Sequence, residues 1–551
     1  MQQLTGLDAA FLAMETSAVF GHIGSICVLD PTSALEPLTL ERLTTLIEQR
    51  LPLIPPFRRR LVEVPLGLDQ PYWLEDPDFD IEYHVRELAL PSPGTDQHLS
   101  DQAARLHARA LDRRRPLWEL YLIHGLEGGR MAIYSKVHHA AIDGVSGNDL
   151  LAALLDTEPQ GRPLQEFAPW VREVEPSAVS LLARSALSMA GHPVRAVRVG
   201  YALMRSVPGF ARTPARPRIP LIERFLPSNP AALLESTGLR APATPFNKKI
   251  SPHRRWAFAS LPLAGIKEVK NAAGGTVNDV VMALTTGALR EWLLDHDALP
   301  EGPLIAAVPV STRTEAQAGK GGNQISTMLA QLPTHLADPV ERLNACTAAM
   351  RAAKTQHGAL PASLLSDVTQ FAMPALAAQA ARVAARIRLV ERVSPFNLFV
   401  SNVPGPNIPL YYAGCRLLGY FPLSAIADGQ GLNITVMSFD GQMHFGLIAD
   451  RELVPDLDVM MGYLTRELGV LKAALGITTA EAELAEGVPA EDVPVEAVPV
   501  EAVPAEAVPA GTVPAAELEP VLLPDTQVVT AKRAKAGNKP GAGRAAGTLL
   551  I

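Results

Sequence analysis

The chain passes from a strand-forming run into a pair of histidines between residues 131 and 144. The run reads Met131-Ala132-Ile133-Tyr134-Ser135-Lys136-Val137, and it continues as His138-His139-Ala140-Ala141-Ile142-Asp143-Gly144. The first seven residues are rich in strand formers and follow a turn signal at Gly128-Gly129. The sequence therefore predicts a strand that ends at the histidine pair.

The histidine pair and the acid that follows it predict a site for proton transfer. Neighbouring side chains on a strand point to opposite faces, so one histidine of the pair is expected to be structural. Asp143 lies four residues after His139, so a turn can bring its carboxylate to the imidazole or anchor the loop to a nearby cation. Either arrangement would orient a ring that serves as general base, and Gly144 keeps side-chain bulk away.

Two other interpretations of these residues exist. An isolated histidine pair is often a packed or surface feature without chemistry. His138, His139 and Asp143 also form a two-histidine, one-carboxylate set of the kind that binds metals. We disfavour the metal because adjacent histidines diverge on a strand and the sequence offers no second His/Cys/Glu cluster nearby.

The signatures of several other enzyme classes are missing. The sequence has no GxSxG or HExxH motif, and Gly319-Lys320-Gly321-Gly322 does not fit a phosphate-binding loop. Gly429-Gln430-Gly431 lacks the third glycine of a dinucleotide fingerprint. What remains is a histidine base without a covalent nucleophile, which suits direct transfer of an activated acyl group to a hydroxyl or an amine.

The composition of the chain argues against several further classes of protein. The 551 residues carry 49 basic and 57 acidic side chains, a net charge of −8 that argues against a nucleic-acid binder. The 3 cysteines, Cys27, Cys346 and Cys415, have no CxxC spacing and indicate neither a disulfide framework nor a zinc ribbon. We find no signal-peptide pattern and no apolar run of membrane-spanning length, so we expect a cytoplasmic protein whose contact with a bilayer is peripheral.

The chain divides into two blocks joined by a bridge. Residues 1–160 and 241–477 each mix strand-like and helix-like runs, which predicts two domains of mixed α and β structure. In the second block, Asp440-Gly441 separates two strand-like runs and predicts a hairpin. Thr276 is the expected N-cap of a helix with one apolar face, formed by Val277, Val281, Leu284, Ala288 and Trp292.

The bridge, residues 161–240, and the tail, residues 478–551, have unusual compositions. Residues 176–222 contain seven arginines, no lysine and no acid, and their apolar spacing predicts basic amphipathic helices. Such helices can lie on an anionic membrane or lipid-droplet surface, or they can form a packed linker with solvated arginines. The tail has a proline every five residues from Pro489 to Pro514, so we expect extended disorder there.

The histidine motif resembles the HHxxxDG motif of CoA-dependent acyltransferases and of peptide-synthetase condensation domains. Further segments resemble the bacterial wax ester synthase/diacylglycerol acyltransferase family, in the family's order over about residues 1–475. They are Leu7-Asp8-Ala9-Ala10-Phe11-Leu12, His22-Ile23-Gly24, Pro116-Leu117-Trp118-Glu119, Asn278-Asp279-Val280-Val281, Pro309-Val310-Ser311, Gly322-Asn323-Gln324 and Ser401-Asn402-Val403-Pro404-Gly405-Pro406. The resemblance implies a chloramphenicol acetyltransferase-like α/β fold, in which two pseudo-equivalent mixed-sheet domains enclose the active site at their interface.

The resemblance also implies roles for the motif residues. His139 corresponds to the catalytic base, Asp143 to the carboxylate that orients the motif loop, and His138 to an accessory position, while Gly144 gives the substrate access. Asn278 and Asp279 correspond to supporting residues, although helix capping explains them equally well. The family chemistry calls for no metal and no organic cofactor, with acyl-CoA as a co-substrate.

The function implied is an O-acyltransferase that moves a fatty acyl group from acyl-CoA to diacylglycerol, to a long-chain alcohol, or to both. The expected location is the inner face of the plasma membrane or a lipid-droplet surface. One alternative is an acyltransferase of the same fold with another acceptor or a carrier-protein donor. Another is a non-catalytic lipid-surface protein that uses the arginine-rich bridge.

Overall fold

The structure, a computed structural model, describes residues 1–142, 152–162, 173–190, 241–311, 325–359 and 395–477. Asp143, Gly144, the tail and most of the arginine-rich bridge lie outside these residues. Helices and strands are mixed throughout the described ranges, which confirms the predicted fold class.

The helices of the described residues are distributed over both halves of the chain. They are α1 (Gly6–Met14), α2 (Leu40–Arg50), α3 (Ile81–His84), α4 (Asp96–His107), α5 (Ala178–Ala190), α6 (Leu263–Ala273), α7 (Val277–Asp295), α8 (Pro339–Ala359) and α9 (Leu457–Ala474). The strands of the first half are β1 (Gln2–Gln3), β2 (His22–Asp30), β3 (Arg59–Val62), β4 (Tyr72–Glu75), β5 (Val85–Ala89), β6 (Trp118–His124) and β7 (Met131–His138). Those of the second half are β8 (Arg254–Pro262), β9 (Leu304–Ser311), β10 (Ile325–Leu332), β11 (Leu398–Pro404), β12 (Tyr411–Tyr412), β13 (Cys415–Leu423), β14 (Leu432–Phe439) and β15 (Gln442–Asp450).

The first mixed sheet contains the strand that leads into the histidine pair. Its order is β12-β13-β2-β7-β6-β5, with β5 parallel to β6 and the other neighbours antiparallel. The predicted strand at 131–137 is confirmed as β7, and its last residue, His138, lies opposite His22 of β2. Residues 411–423, which the sequence places in the second block, contribute β12 and β13 to this first sheet.

The second mixed sheet is built from the second half alone. Its order is β10-β9-β11-β14-β15-β8, and β11 runs parallel to both of its neighbours. The predicted hairpin is confirmed, because β14 and β15 pair antiparallel around Asp440 and Gly441, both of which have positive φ. A small antiparallel sheet of β1, β4 and β3 completes the described sheets.

Helix α7 forms where the sequence predicts it. Thr276 is its N-cap and makes a reciprocal capping box with Asp279, which satisfies two otherwise unpaired backbone N–H groups. Val281, Leu284 and Trp292 are fully buried, so the predicted apolar face packs into the core of the second half. Burial of this face drives the packing, since propensity alone contributes little to helix stability in proteins.

Helix α5 confirms the first part of the helical prediction for the bridge. Leu181 and Ser185 are buried, whereas Val179 and Leu187 are each 75% exposed. Among the helices that the structure describes, none combines the length and apolar character needed to cross a bilayer. The rest of the stretch for which the sequence predicts helices, residues 191–222, lies outside the described residues.

Gly446 of β15 allows the two mixed sheets to approach each other closely. The carbonyl oxygen of Pro422 in β13 lies directly against it and accepts a hydrogen bond from Trp256 Nε1 at 3.2 Å. A Cβ at position 446 would overlap that carbonyl group, which is backbone and has little freedom to move.

We expect Gly446→Ala to lower the free energy of unfolding by about 2 kcal/mol, because overpacking forces the backbone apart. Urea unfolding followed by circular dichroism measures this. Gly462→Ala is the matched control, because position 462 lies within α9 with open space around a Cβ. The control should be neutral or slightly stabilising. An unchanged urea midpoint for Gly446→Ala would contradict the close sheet contact.

Candidate active site

The two histidines diverge because the strand ends between them. β7 finishes at His138, and a 3₁₀ turn spans His139–Ile142. His138 is buried, whereas His139 is partly exposed. The change from strand to turn thus gives adjacent side chains different surroundings.

Both ring nitrogens of His138 are bonded within the protein. Its Nδ1 accepts the backbone N–H of Ala140 at 3.0 Å, so the ring proton resides on Nε2, which donates to Glu15 Oε1 at 3.1 Å. Because both of its ring nitrogens are engaged in these hydrogen bonds, His138 has no free lone pair with which to accept a substrate proton or bind a metal ion. This geometry argues for a structural role of His138 and against the metal interpretation.

Glu15, the residue that caps the C-terminus of α1, connects several parts of the site. Its Oε1 also accepts the N–H of Gly21 at 2.8 Å, and its Oε2 accepts Arg113 Nη2 at 2.7 Å. Burial alone would raise the pKa of the Glu15 carboxyl, but the hydrogen bonds from His138, Gly21 and Arg113 lower that pKa to about 2. Glu15 is therefore a carboxylate throughout the physiological range.

His139 is held by its backbone and by one face of its ring. Its N–H donates to the carbonyl oxygen of Gly21 at 2.8 Å, and its imidazole stacks on Phe11 with ring centroids 4.7 Å apart and planes inclined by 11°. Nδ1 of the ring is buried. Burial, assisted by the neighbouring His138, lowers the pKa of His139 to about 4, which keeps the ring neutral near pH 7.

The remaining predicted site residues fall into two groups. Asp143 and Gly144 lie outside the described residues. Asp279 Oδ2 accepts the N–H of Thr276 at 2.8 Å and so serves the capping box, whereas Asn278 Oδ1 accepts Asn402 Nδ2 at 3.3 Å. Within the described ranges, these bonds join α7 to itself and to β11 rather than to the histidine pair.

A cavity of about 800 Å³ lies between the segment after the motif and the loop after β11. The polar residues that line it are Asp156, Thr157, Glu158 and Arg162, and Pro404, Gly405 and Pro406 line it as well. The volume of the cavity is in the range of small-molecule sites, so the Pro-Gly-Pro segment bounds a ligand-sized space.

Trp118, in contrast, belongs to the core. It is buried, its Nε1 donates to the carbonyl oxygen of Phe57 at 2.8 Å, and its ring stacks on Phe57 and His84. Leu117 is also fully buried, so this part of the Pro116-Leu117-Trp118 segment packs in the core. A side chain enclosed in this way anchors β6, the strand that pairs with β7, and does not face a substrate.

The sequence did not identify Glu15, Gly21 or Arg113 as site residues. Arg113 and Glu15 are 98 positions apart, so no local spacing connects them. Gly21 precedes the His22-Ile23-Gly24 segment, and a Cβ there would lie 2.6 Å from His138 Nε2. A glycine beside that segment was the one available signal, and it becomes meaningful only when the contact with His138 is known.

Comparisons with known proteins agree along most of the chain. Residues 4–281 match the wax ester synthase/diacylglycerol acyltransferase catalytic domain, and residues 321–472 match the WS/DGAT C-terminal domain. A Mycobacterium tuberculosis protein named "Probable diacyglycerol O-acyltransferase tgs2" is 38% identical over 475 residues, which cover 85% of this chain and 98% of that protein.

Solved structures extend the comparison to the fold. The wax ester synthase/diacylglycerol acyltransferase from Marinobacter aquaeolei VT8 aligns with a TM-score of 0.61 and 29% identity, over 86% of this chain and 100% of that one. The first condensation domain of the calcium-dependent antibiotic synthetase aligns with a TM-score of 0.50 and 15% identity, over 86% and 97% of the two chains. The second alignment shows a shared fold and nothing more.

Proposed function

Because the chain belongs to the wax ester synthase/diacylglycerol acyltransferase family, it is an acyltransferase, and we propose that His139 is its general base. The donor is a long-chain fatty acyl-CoA. The acceptor is the hydroxyl of diacylglycerol, which gives triacylglycerol, or that of a long-chain alcohol, which gives a wax ester. The observation that carries the proposal is the His139 ring, which is fixed by stacking on Phe11 and neutral near pH 7, in a residue that is partly exposed.

The burial of Nδ1 indicates which edge of the His139 ring reacts. Since Nδ1 is enclosed, the acceptor hydroxyl reaches the ring at Nε2. Nε2 takes the hydroxyl proton while the oxygen attacks the thioester carbonyl carbon, and a tetrahedral oxyanion forms. Its collapse re-forms the carbonyl, breaks the carbon–sulfur bond and releases CoA.

The proton balance closes within the same histidine. The leaving sulfur takes the proton from the imidazolium, or it departs as a thiolate and the imidazolium then loses its proton to water; thiols have pKa values of about 8.5, so the thiolate needs little assistance to leave. The ring returns to its neutral form for the next cycle. The proposal uses no metal and no organic cofactor, and the acyl-CoA serves as co-substrate.

We place this activity at a lipid surface. Val179 and Leu187 of α5 are exposed, and the only charged residue of that helix is Arg184. An apolar face with basic but no acidic residues suits the headgroup region of an anionic membrane or a lipid droplet on the cytoplasmic side. Flotation of the purified protein with phosphatidylserine vesicles, compared with neutral vesicles, tests this location.

Acceptor-dependent release of free CoA thiol tests the function. Purified protein is given palmitoyl-CoA with dioleoylglycerol, with hexadecanol or with no acceptor, and the lipid product is identified by mass spectrometry. We expect thiol release that requires an acceptor, and the ratio of the two rates assigns the product class. Release from a palmitoyl carrier protein alone, or none from the folded protein, would contradict the acyl-CoA proposal.

A further inference from the structure

The positions of the backbone groups around His139 depend on one carboxylate that lies outside the histidine motif. The N–H of His139 donates to the carbonyl oxygen of Gly21, and the N–H of Gly21 donates to Glu15. The N–H of Ala140 donates to His138, whose other nitrogen donates to the same Glu15 oxygen. The peptide groups on both sides of the His139 Cα are therefore tied to Glu15 through one intermediate each.

The packing leaves little room for an alternative arrangement. Gly21 is close enough to His138 that a Cβ would lie 2.6 Å from its Nε2, so the two groups that Glu15 binds also limit each other. Arg113 holds the second carboxylate oxygen and also donates to the carbonyl oxygen of Leu12 in α1. Helix α1 in turn carries Phe11, which stacks on the His139 ring.

We propose that Glu15 is a positioning residue for acyl transfer, which fixes the backbone of the His139 turn through Gly21 and His138. The inference rests on the proposed function of His139 as base, and it adds a residue that does not touch the substrate. A base must lie within hydrogen-bond reach of its proton, so a displacement of even about 1 Å reduces the rate strongly. Glu15 acts through the position of the ring and not through its own proton transfer.

Two conservative substitutions distinguish the effect of the position of the Glu15 carboxylate from the effect of its charge. Glu15→Gln keeps the length and an oxygen that can accept from Gly21 and His138, but it loses the charge opposite Arg113. Glu15→Asp keeps the charge but withdraws the oxygen by one methylene. If the position of the carboxylate matters, Glu15→Asp should lower the rate of acyl transfer more than Glu15→Gln does. If only the ion pair with Arg113 matters, Glu15→Gln should lower that rate more.

We expect Glu15→Asp to lower kcat by about 30-fold with KM for palmitoyl-CoA changed less than about twofold, and Glu15→Gln to remain within about threefold of wild type. Glu75→Asp is the matched control, because Glu75 forms a half-buried ion pair with Arg59 at 2.9 Å on the small sheet. It should leave kcat unchanged. A reversed order of the two Glu15 variants, or an unchanged kcat for Glu15→Asp, would overturn the proposal.

Amide hydrogen exchange gives a second measurement that does not depend on activity. In Glu15→Asp, a peptide covering residues 136–142 should exchange about five- to tenfold faster at the amides of His139 and Ala140, as expected for weakened hydrogen bonds. Glu15→Gln and Glu75→Asp should exchange like wild type in this peptide. If the wild-type protein transferred no acyl group, the proposed function would fail, whereas unchanged exchange in Glu15→Asp would refute the positioning role by itself.

Discussion

His139→Ala is expected to lower kcat for acyl transfer by about 10³-fold, because the acceptor hydroxyl loses the base that takes its proton. The substitution leaves the backbone bond from residue 139 to Gly21 in place, so the turn should keep its shape. KM for palmitoyl-CoA should change little, since the lost interaction operates in the transition state. Initial rates of thiol release with the better acceptor measure the effect.

His124→Ala is the control for His139→Ala. His124 ends β6, is partly exposed and pairs with Glu87 at 3.1 Å, so its removal takes a histidine from the surface of the same sheet. Its activity should equal that of wild type. If His139→Ala retained more than about a tenth of the wild-type kcat while remaining folded, His139 could not be the general base.

Local signals in the sequence were sufficient for the elements that lead to the site. The strand at 131–138, the hairpin around Asp440 and the cap of α7 at Thr276 each depend on residues within a few positions of one another. Their patterns of strand formers, turn residues and capping side chains act over the same short range. These elements therefore appear in the structure where the sequence predicts them.

The addition of β12 and β13 from the second half to the first sheet could not be predicted in the same way. β13 pairs with β2, with Leu423 opposite Gly24, although the two residues are about 400 positions apart. The strand alternates buried and exposed residues, which would fit an edge of either sheet. The choice depends on where the second sheet ends and on the contact of Pro422 with Gly446, neither of which has a local signature.

The candidate site also combines a residue that the sequence points to with residues that only the fold reveals. The resemblance of the motif to that of the family implies that His139 is the base, and this role remains a prediction that the geometry supports. Neither Glu15 nor Arg113 belongs to a periodic pattern or a motif of the sequence, and only the fold brings them together. The sequence therefore predicts the chemical group, while the support that orients it comes from long-range packing.

Buried histidines predict that the protein loses stability in mild acid. Burial lowers the pKa of several of them: His84, His139 and His444 to about 4, His107 to about 3, and His22 well below its usual value. The unfolded chain takes up protons near the ordinary histidine pKa of about 6.5, whereas the folded protein does not until lower pH. Stability from these groups is complete above about pH 6.5 and is lost as the pH falls toward 4.

We expect the free energy of unfolding to fall by roughly 4 to 5 kcal/mol between pH 7.5 and 5.5, at about 1 kcal/mol for each histidine. The Glu15 carboxyl does not offset this loss, because its pKa is lowered to about 2 and its own contribution is lost only below about pH 4.5. Urea unfolding at the two pH values and constant ionic strength measures the change. His444→Gln, which removes one buried imidazole, should reduce the pH dependence by about one proton. Equal urea midpoints at pH 7.5 and 5.5 would mean that these histidines take up protons alike in the folded and the unfolded chain, which would contradict their lowered pKa values.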